Sequence, residues 1–199
     1  MNNKSTKNKI NKCDFGYLPK KLRTEIIKCV ILFAIPVAII ITGYIIKGTK
    51  MNIFTLIAVL GLLPAANCFI TLVMYIKAQK WTCSDALYKK IAETVDLNNI
   101  NVRFDLYMTG YDKSFPIQSL TCIGNSLFGY SNMENFPENK FEEHLKPLLS
   151  QNGLKVGNIK IFSSENKYLT RLNNINGDNI LPQDEHDLKI LKLMENISL

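Results

Sequence analysis

Residues 29–46, CVILFAIPVAIIITGYII, and residues 51–76, MNIFTLIAVLGLLPAANCFITLVMYI, are eighteen and twenty-six residues without a charge, bounded by Lys28 and Lys47 and by Lys50 and Lys77. A helix rising about 1.5 Å per residue crosses a hydrocarbon core of roughly 30 Å in about twenty residues, so either run is long enough to span a bilayer. This excludes a purely soluble globular protein. It also excludes a disordered chain, because too much apolar surface is available for burial. The spans are expected at about 26–46 and 53–76, within a transmembrane hairpin covering 24–77.

Charge is distributed unevenly around these runs. The net charge is +7 over 199 residues. Residues 1–28 carry eight cations against Asp14 and Glu25, which gives +6 for that stretch alone. From Trp81 to the end there are twelve cations and fifteen anions, a net of −3. The basic excess is therefore juxtamembrane, and a nucleic-acid partner, which would call for basic charge on the folded domain, is not expected. Cations flanking a span tend to stay in the cytoplasm. The leader and the segment with Lys77, Lys80, Lys89 and Lys90 are then inside, and the short loop from Lys47 to Lys50 is outside. The expected location is a bacterial plasma membrane, multi-pass, with both termini cytoplasmic. The bias towards Ile, Lys and Asn, with three Arg, fits an AT-rich bacterial genome. A mostly polar leader of more than twenty residues before the first run argues against a cleaved signal peptide.

Inside the hairpin, Gly61 and Ala65 give a small-xxx-small spacing suited to close helix approach, and Pro36 and Pro64 are expected to bend their helices. Asn67 is the lone amide within the expected spans 26–46 and 53–76. It reads as a hydrogen-bond partner for a carbonyl freed by Pro64, or for Thr42 across the hairpin; a substrate or ion contact is the alternative.

After the spans, residues 81–199 read as one α+β domain, α/β-sandwich-like in the order αβββαβαα, behind a basic leader of residues 1–23. Leu87, Ile91 and Val95 mark an amphipathic helix. Val102, Phe104, Leu106 and Met108 alternate with Arg103, Asp105, Tyr107 and Thr109, the pattern of a half-buried strand. Phe115 to Ile123 is a second strand, and Gly124-Asn125 a tight turn into a third at Ser126 to Ser131. A helix from about Pro137 carries Phe141, Leu145, Leu148 and Leu149 on one face, with a kink or early stop expected at Pro147 and an end at Asn152-Gly153. Lys155 to Phe162 is a fourth strand. Ser163 is expected to cap a short helix with Tyr168, Leu169 and Leu172, and Asn176-Gly177 to turn the chain. A last helix from about Gln183, with Asp184, Glu185 and Asp187 in its first turn, buries Leu188, Leu191 and Met194 or a neighbouring set.

No catalytic constellation emerges, so no catalytic, cofactor-binding or metal-binding residue and no cofactor is expected. His144 and His186 lack a metal-ligand spacing and read as solvated helix faces. Cys13, Cys29, Cys68, Cys83 and Cys122 form no CxxC and read as reduced thiols, Cys122 as a small apolar filler. Tyr107, Tyr111, Phe115, Phe128 and Tyr130 surround the strands as core and rim packing, with an aromatic recognition surface as the alternative.

The order helix, three strands, helix, strand over roughly 81–162 resembles the core of the restriction-endonuclease-like nucleases. Those enzymes place an Asp on one strand and a Glu-x-Lys pair on the next, to hold a metal and an attacking water. Here the acid is Asp105 on the first strand, and neither following strand carries the pair, so the resemblance implies an inactive relative. The layout as a whole resembles bacterial membrane proteins with a basic leader containing Asp-Phe-Gly-Tyr-Leu-Pro (here Asp14 to Pro19), two close spans and a small cytosolic domain. That resemblance implies a leader lying at the membrane surface on Phe15, Tyr17 and Leu18. The expected function is a non-enzymatic, membrane-anchored cytosolic interaction module, its partners the lipid bilayer and either another protein or a second copy. The alternatives are a tethered metal-dependent hydrolase using Asp105 and Glu134, and an accessory subunit of a transport or export complex built on Pro64 and Asn67.

Overall fold

The structure, a computed structural model, describes residues 10–48, 53–97, 99–110, 112–177 and 183–199. Thr49 and Lys50 of the expected outer loop, Asn98 and Tyr111 lie outside these, as do Lys4, Lys7 and Lys9 of the leader. The chain divides into a helical unit, Leu18–Lys80, and a sheet unit built from residues up to Tyr17 together with Trp81–Leu199.

The helical unit holds α1 (Tyr17–Lys47) and α2 (Ile53–Gln79), both long and apolar enough to cross a membrane. α1 begins nine residues before the expected span, because the basic stretch is helical too. There Glu25 pairs with Lys21 at 3.2 Å and with Lys28 at 3.6 Å, one turn to either side. Both helices run through their prolines. The contacts run in opposite directions along the two helices: Gly61 faces Pro36, and the Phe69 ring meets Phe33 edge-on at 6.4 Å. The pair is an antiparallel hairpin.

Residues on α1 facing inwards recur at Leu18, Leu22, Glu25, Cys29, Leu32, Pro36, Ile39 and Gly43, alternating steps of four and three. On α2 the inward set is Ala58, Gly61, Ala65, Cys68, Leu72 and Tyr75. This is the seven-residue repeat of helices that wind around each other, and its small members let the backbones close up as Gly61 and Ala65 suggested. Large apolar side chains such as Ile31, Ile41, Leu56 and Leu63 face outwards, the arrangement for contact with hydrocarbon.

The sheet unit is α+β: a four-stranded sheet with helices on both faces. β1 (Val102–Thr109), β2 (Ser114–Ile123), β3 (Ser126–Tyr130) and β4 (Asn158–Phe162) lie side by side in chain order. The first three pair antiparallel and β4 joins β3 in parallel through the crossover helix α4 (Glu138–Gln151). α4 and α6 (Glu185–Ile197) cover one face, and α3 (Asp85–Thr94) and α5 (Glu165–Gly177) the other. The expected order αβββαβαα is the order found.

Several local expectations hold for clear reasons. Gly124 and Asn125 take φ of +58° and +61°, the two left-handed residues of a tight hairpin turn. Ser84 starts α3 by accepting from Leu87 N. Others do not hold. α4 continues four residues past Pro147, since Leu145 and Leu149 on either side are both buried in the core. The N–H of Asn152 closes its end, followed by Gly153 at φ +67°. β4 starts at Asn158 and not at Lys155, α5 runs to Gly177 instead of turning at Asn176, and it is Ser164 whose carbonyl receives its first-turn bond from Tyr168 N. Leu188 is exposed, and Ile190, Leu191, Leu193 and Met194 are the apolar residues α6 buries.

The largest departure is in β1. Val102 and Phe104 pack on the α3/α5 face, whereas Leu106 and Met108 pack on the α4/α6 face. The alternation breaks at Asp105, whose backbone is left-handed at φ +55°, and the ladder to β2 steps from Phe104–Ser119 to Leu106–Ile117 around it. β1 is thus buried on both faces, not half-buried.

Gly129 on β3 marks the tightest approach in the sheet: a Cβ there would lie 2.6 Å from the Ser119 carbonyl oxygen and 2.8 Å from Leu120 Cδ1. The oxygen belongs to the paired strand and cannot swing away. Gly129→Ala is expected to destabilise the sheet unit by about 3 kcal/mol, at the upper end of overpacking costs, measured by denaturant unfolding in detergent.

Candidate functional site

Chemistry in a chain of this size concentrates at buried polar groups, and the sheet unit holds several. Asp105 is buried, and its Oδ1 accepts from Cys83 N at 2.7 Å, fastening the chain just ahead of α3 to β1. Asp187, also buried, reaches from α6 to the β2–β3 turn. Its carboxylate accepts from Gly124 N at 2.9 Å, Asn125 N at 3.0 Å and Cys122 Sγ at 3.3 Å. Gln183 bonds both the N–H and the carbonyl of Asn101, the Thr121 hydroxyl and the Cys122 carbonyl. The Tyr168 hydroxyl lies 2.6 Å from Ser119 Oγ under α5. Each of these groups holds one element against another.

The thiols follow the same rule. All five cysteines are free and buried. Burial, followed by the charges of Asp105 and Asp85, pushes the Cys83 thiol up to about 12. Burial pushes Cys13 up to about 11, and burial with Asp187 raises Cys122 further still. Nucleophilic chemistry needs a thiolate, and these environments hold the protonated form.

Asp105 and Glu134, the acids offered for a metal-dependent hydrolase, sit in different surroundings. Glu134 is exposed in the β3–α4 connection, while Asp105 is buried against Cys83. Among the described residues the group able to offer three metal ligands is Asp184, His186 and Asp187, and it contains neither. Within that group Asp184 already caps α6 by accepting from Asp187 N at 2.7 Å, and both Asp187 oxygens serve the hairpin turn. His144 is half-buried, stacked on Phe115 at 5.7 Å, and not on a fully solvated face. The aromatic set divides between the two cores: Phe115 joins Phe136 and Phe141 under α4, whereas Phe128 and Tyr130 lie against Tyr168 under α5.

Residues 12–15 of the leader belong to the sheet unit. Phe104 N donates to the Cys13 carbonyl at 2.8 Å, Lys12 Nζ to the Ser198 carbonyl, and Asp14 faces Arg103 at 3.9 Å. Phe15, expected at the membrane surface, stacks on Tyr88 with ring centres 4.2 Å apart and meets Phe104 edge-on. Its ring is packed on α3 and β1.

Asn67 makes neither expected bond. It lies on the outward face of α2 and its side-chain amide has no partner among the described residues; its carbonyl accepts from Thr71 Oγ1. Thr42 bonds its own helix, at the Ala38 carbonyl.

Among the described residues, a half-open cleft of about 340 Å³ lies between the end of α4 and β4. Leu149, Leu154, Val156 and Ile159 form its apolar floor and Glu142 and Lys146 its rim. β4 pairs with β3 alone, so its far side is a sheet edge, where Ile161 N donates to Glu138 Oε1 in place of a strand. In comparison with known proteins, no family model, no curated protein and no solved structure matches the chain.

Two outcomes are expected. Asp105→Ala leaves the buried Cys83 N–H without its acceptor and costs about 1–3 kcal/mol, while Asp105→Asn, which keeps an acceptor and tolerates the left-handed backbone, costs less. Thiols held protonated in the fold but free to ionise at their ordinary 9.0 when unfolded favour unfolding at high pH. The contribution of Cys83 to stability is therefore constant below about pH 9 and falls between there and about pH 12, which denaturant titrations across that range will read.

Proposed function

We propose that the chain is a multi-pass protein of the bacterial plasma membrane, with both termini in the cytoplasm, whose hairpin anchors a non-enzymatic interaction module. The observation that carries this reading is that residues before the first span and residues after the second fold into one unit. Phe104 N on β1 cannot reach the Cys13 carbonyl across a bilayer. This contact supports a hairpin with both ends on one side, and the lysines flanking it favour the cytoplasm.

The interaction role is supported by how the polar groups are used. Asp105, Asp187, Gln183 and Tyr168 are engaged in joining elements, and the thiols are buried. The sheet unit offers outwards an apolar-floored cleft beside the β4 edge. Its volume and its charged rim suit a short apolar segment of a partner protein with a polar flank.

The test has two parts. Lys50→Cys, beside five buried native thiols, is expected to react with a membrane-impermeant maleimide in intact cells; labelling only after lysis would reverse the orientation. Extraction in mild detergent is expected to yield the chain with a stoichiometric protein that Val156→Lys, in the cleft floor, releases. A chain that emerges monomeric would sink the interaction reading.

A further inference from the structure

The outward face of α2 has a repeat of its own. Leu56, Leu60, Leu63, Asn67, Ile70 and Met74 are spaced by four, three, four, three and four, so they form one stripe along the helix. Leu56, Leu60, Leu63 and Ile70 are 59%, 59%, 65% and 59% exposed. The stripe lies about 200° around the axis from the inward set of Ala58, Gly61 and Ala65, which α1 already covers. Its side chains are the large apolar type that packs between helices, interrupted once, by an amide.

That amide is deep in hydrocarbon. Asn67 is ten residues from Lys77 and seventeen from Lys50, so it lies about 15 Å from the nearer charge, half the thickness of the apolar core. Lipid tails offer its N–H₂ donors and its carbonyl acceptor nothing, and no described residue of the chain bonds it. Every copy in a membrane has the same orientation, so α2 of two copies runs parallel, and a two-fold axis along the membrane normal brings position 67 to position 67 at equal depth. An amide is both donor and acceptor, so two related by that axis satisfy each other reciprocally, as a single core Asn does in parallel two-stranded coiled coils.

We propose that the chain forms a parallel homodimer in the membrane through the Leu56–Met74 stripe of α2, with the Asn67 amides of the two copies hydrogen-bonded to each other. This deepens the anchored-module reading and rests on its membrane insertion: the anchor itself pairs two sheet units.

The experiment uses full-length protein, labelled separately with donor and acceptor fluorophores, in phosphatidylethanolamine/phosphatidylglycerol vesicles. Insertion is established first by resistance to alkaline carbonate; its failure would remove the membrane reading and this proposal together. With insertion intact, energy transfer is expected to follow a monomer–dimer curve as lipid dilutes the protein. Asn67→Leu should weaken the dimer about three- to twenty-fold, Asn67→Gln should largely restore it, and Leu60→Ala should weaken it where Ile57→Ala, about 100° off the stripe, does not. Inserted protein that shows no transfer, transfer indifferent to Asn67→Leu, or a dimer as sensitive to Ile57→Ala as to Leu60→Ala would each overturn the proposal while leaving the anchor reading standing.

Discussion

The outer edge of β1 is closed by the two ends of the chain, and much of the architecture follows from that closure. On one stretch the leader passes the Cys13 carbonyl to Phe104 N. Further along, Ser198 Oγ accepts from Tyr107 N, and Leu199 N returns to the Tyr107 carbonyl. An uncovered edge strand is a template for unwanted pairing, and here it is covered without adding a fifth strand. Lys12 joins the two covers directly by donating to the Ser198 carbonyl, and Arg103 lies between Asp14 and Glu195 at 3.9 and 3.7 Å. The leader and the tail thus meet on one strand although α1 and α2 are encoded between them.

A second constraint operates inside β1. A strand of strictly alternating side chains buries one face, which is how Val102 to Met108 reads. A sheet with helices on both faces needs strands that feed both cores, and β1 does so by turning over at one left-handed residue. Aspartate tolerates that backbone better than most residues, and its carboxylate is held in place by Cys83 N. The residue that looked like a catalytic acid is the hinge of the strand. No local pattern announces such a switch, because a period-two reading has no term for a reversal of phase.

What the sequence made legible was whatever depends on near neighbours: the apolar runs, the order of elements, the Gly124-Asn125 turn, the end of α4 at Asn152-Gly153. The polar groups were legible as residues but not as roles. Asp187 reads as one more acid in a helix's first turn, yet it bonds a hairpin turn more than sixty residues earlier in the chain. Gln183 carried no signal at all and makes four bonds to the sheet's end. Phe15 reads as an interfacial aromatic, since its neighbours in sequence are basic and a membrane span follows. Its partners, Tyr88 and Phe104, lie more than seventy residues further along the chain.

The membrane segments show the same limit in its sharpest form. In a helix that is apolar all round, hydrophobicity carries no information about direction, so the faces of α2 cannot be assigned from periodicity of apolar against polar. Size and exposure assign them. Ala58, Gly61, Ala65 and Cys68 fall on the side that meets α1, where close approach gains contact, and Leu56, Leu60, Leu63 and Ile70 fall on the other. Asn67 then acquires a meaning that composition alone denied it. Had it belonged to the inward seam, it would be a hairpin bond and nothing more; on the outward face, between Leu63 and Ile70, it is a polar group whose partner has to come from outside the chain. The meaning of a polar residue in an apolar helix thus depends on which face carries it, and that face is set by the packing of small residues on the other side.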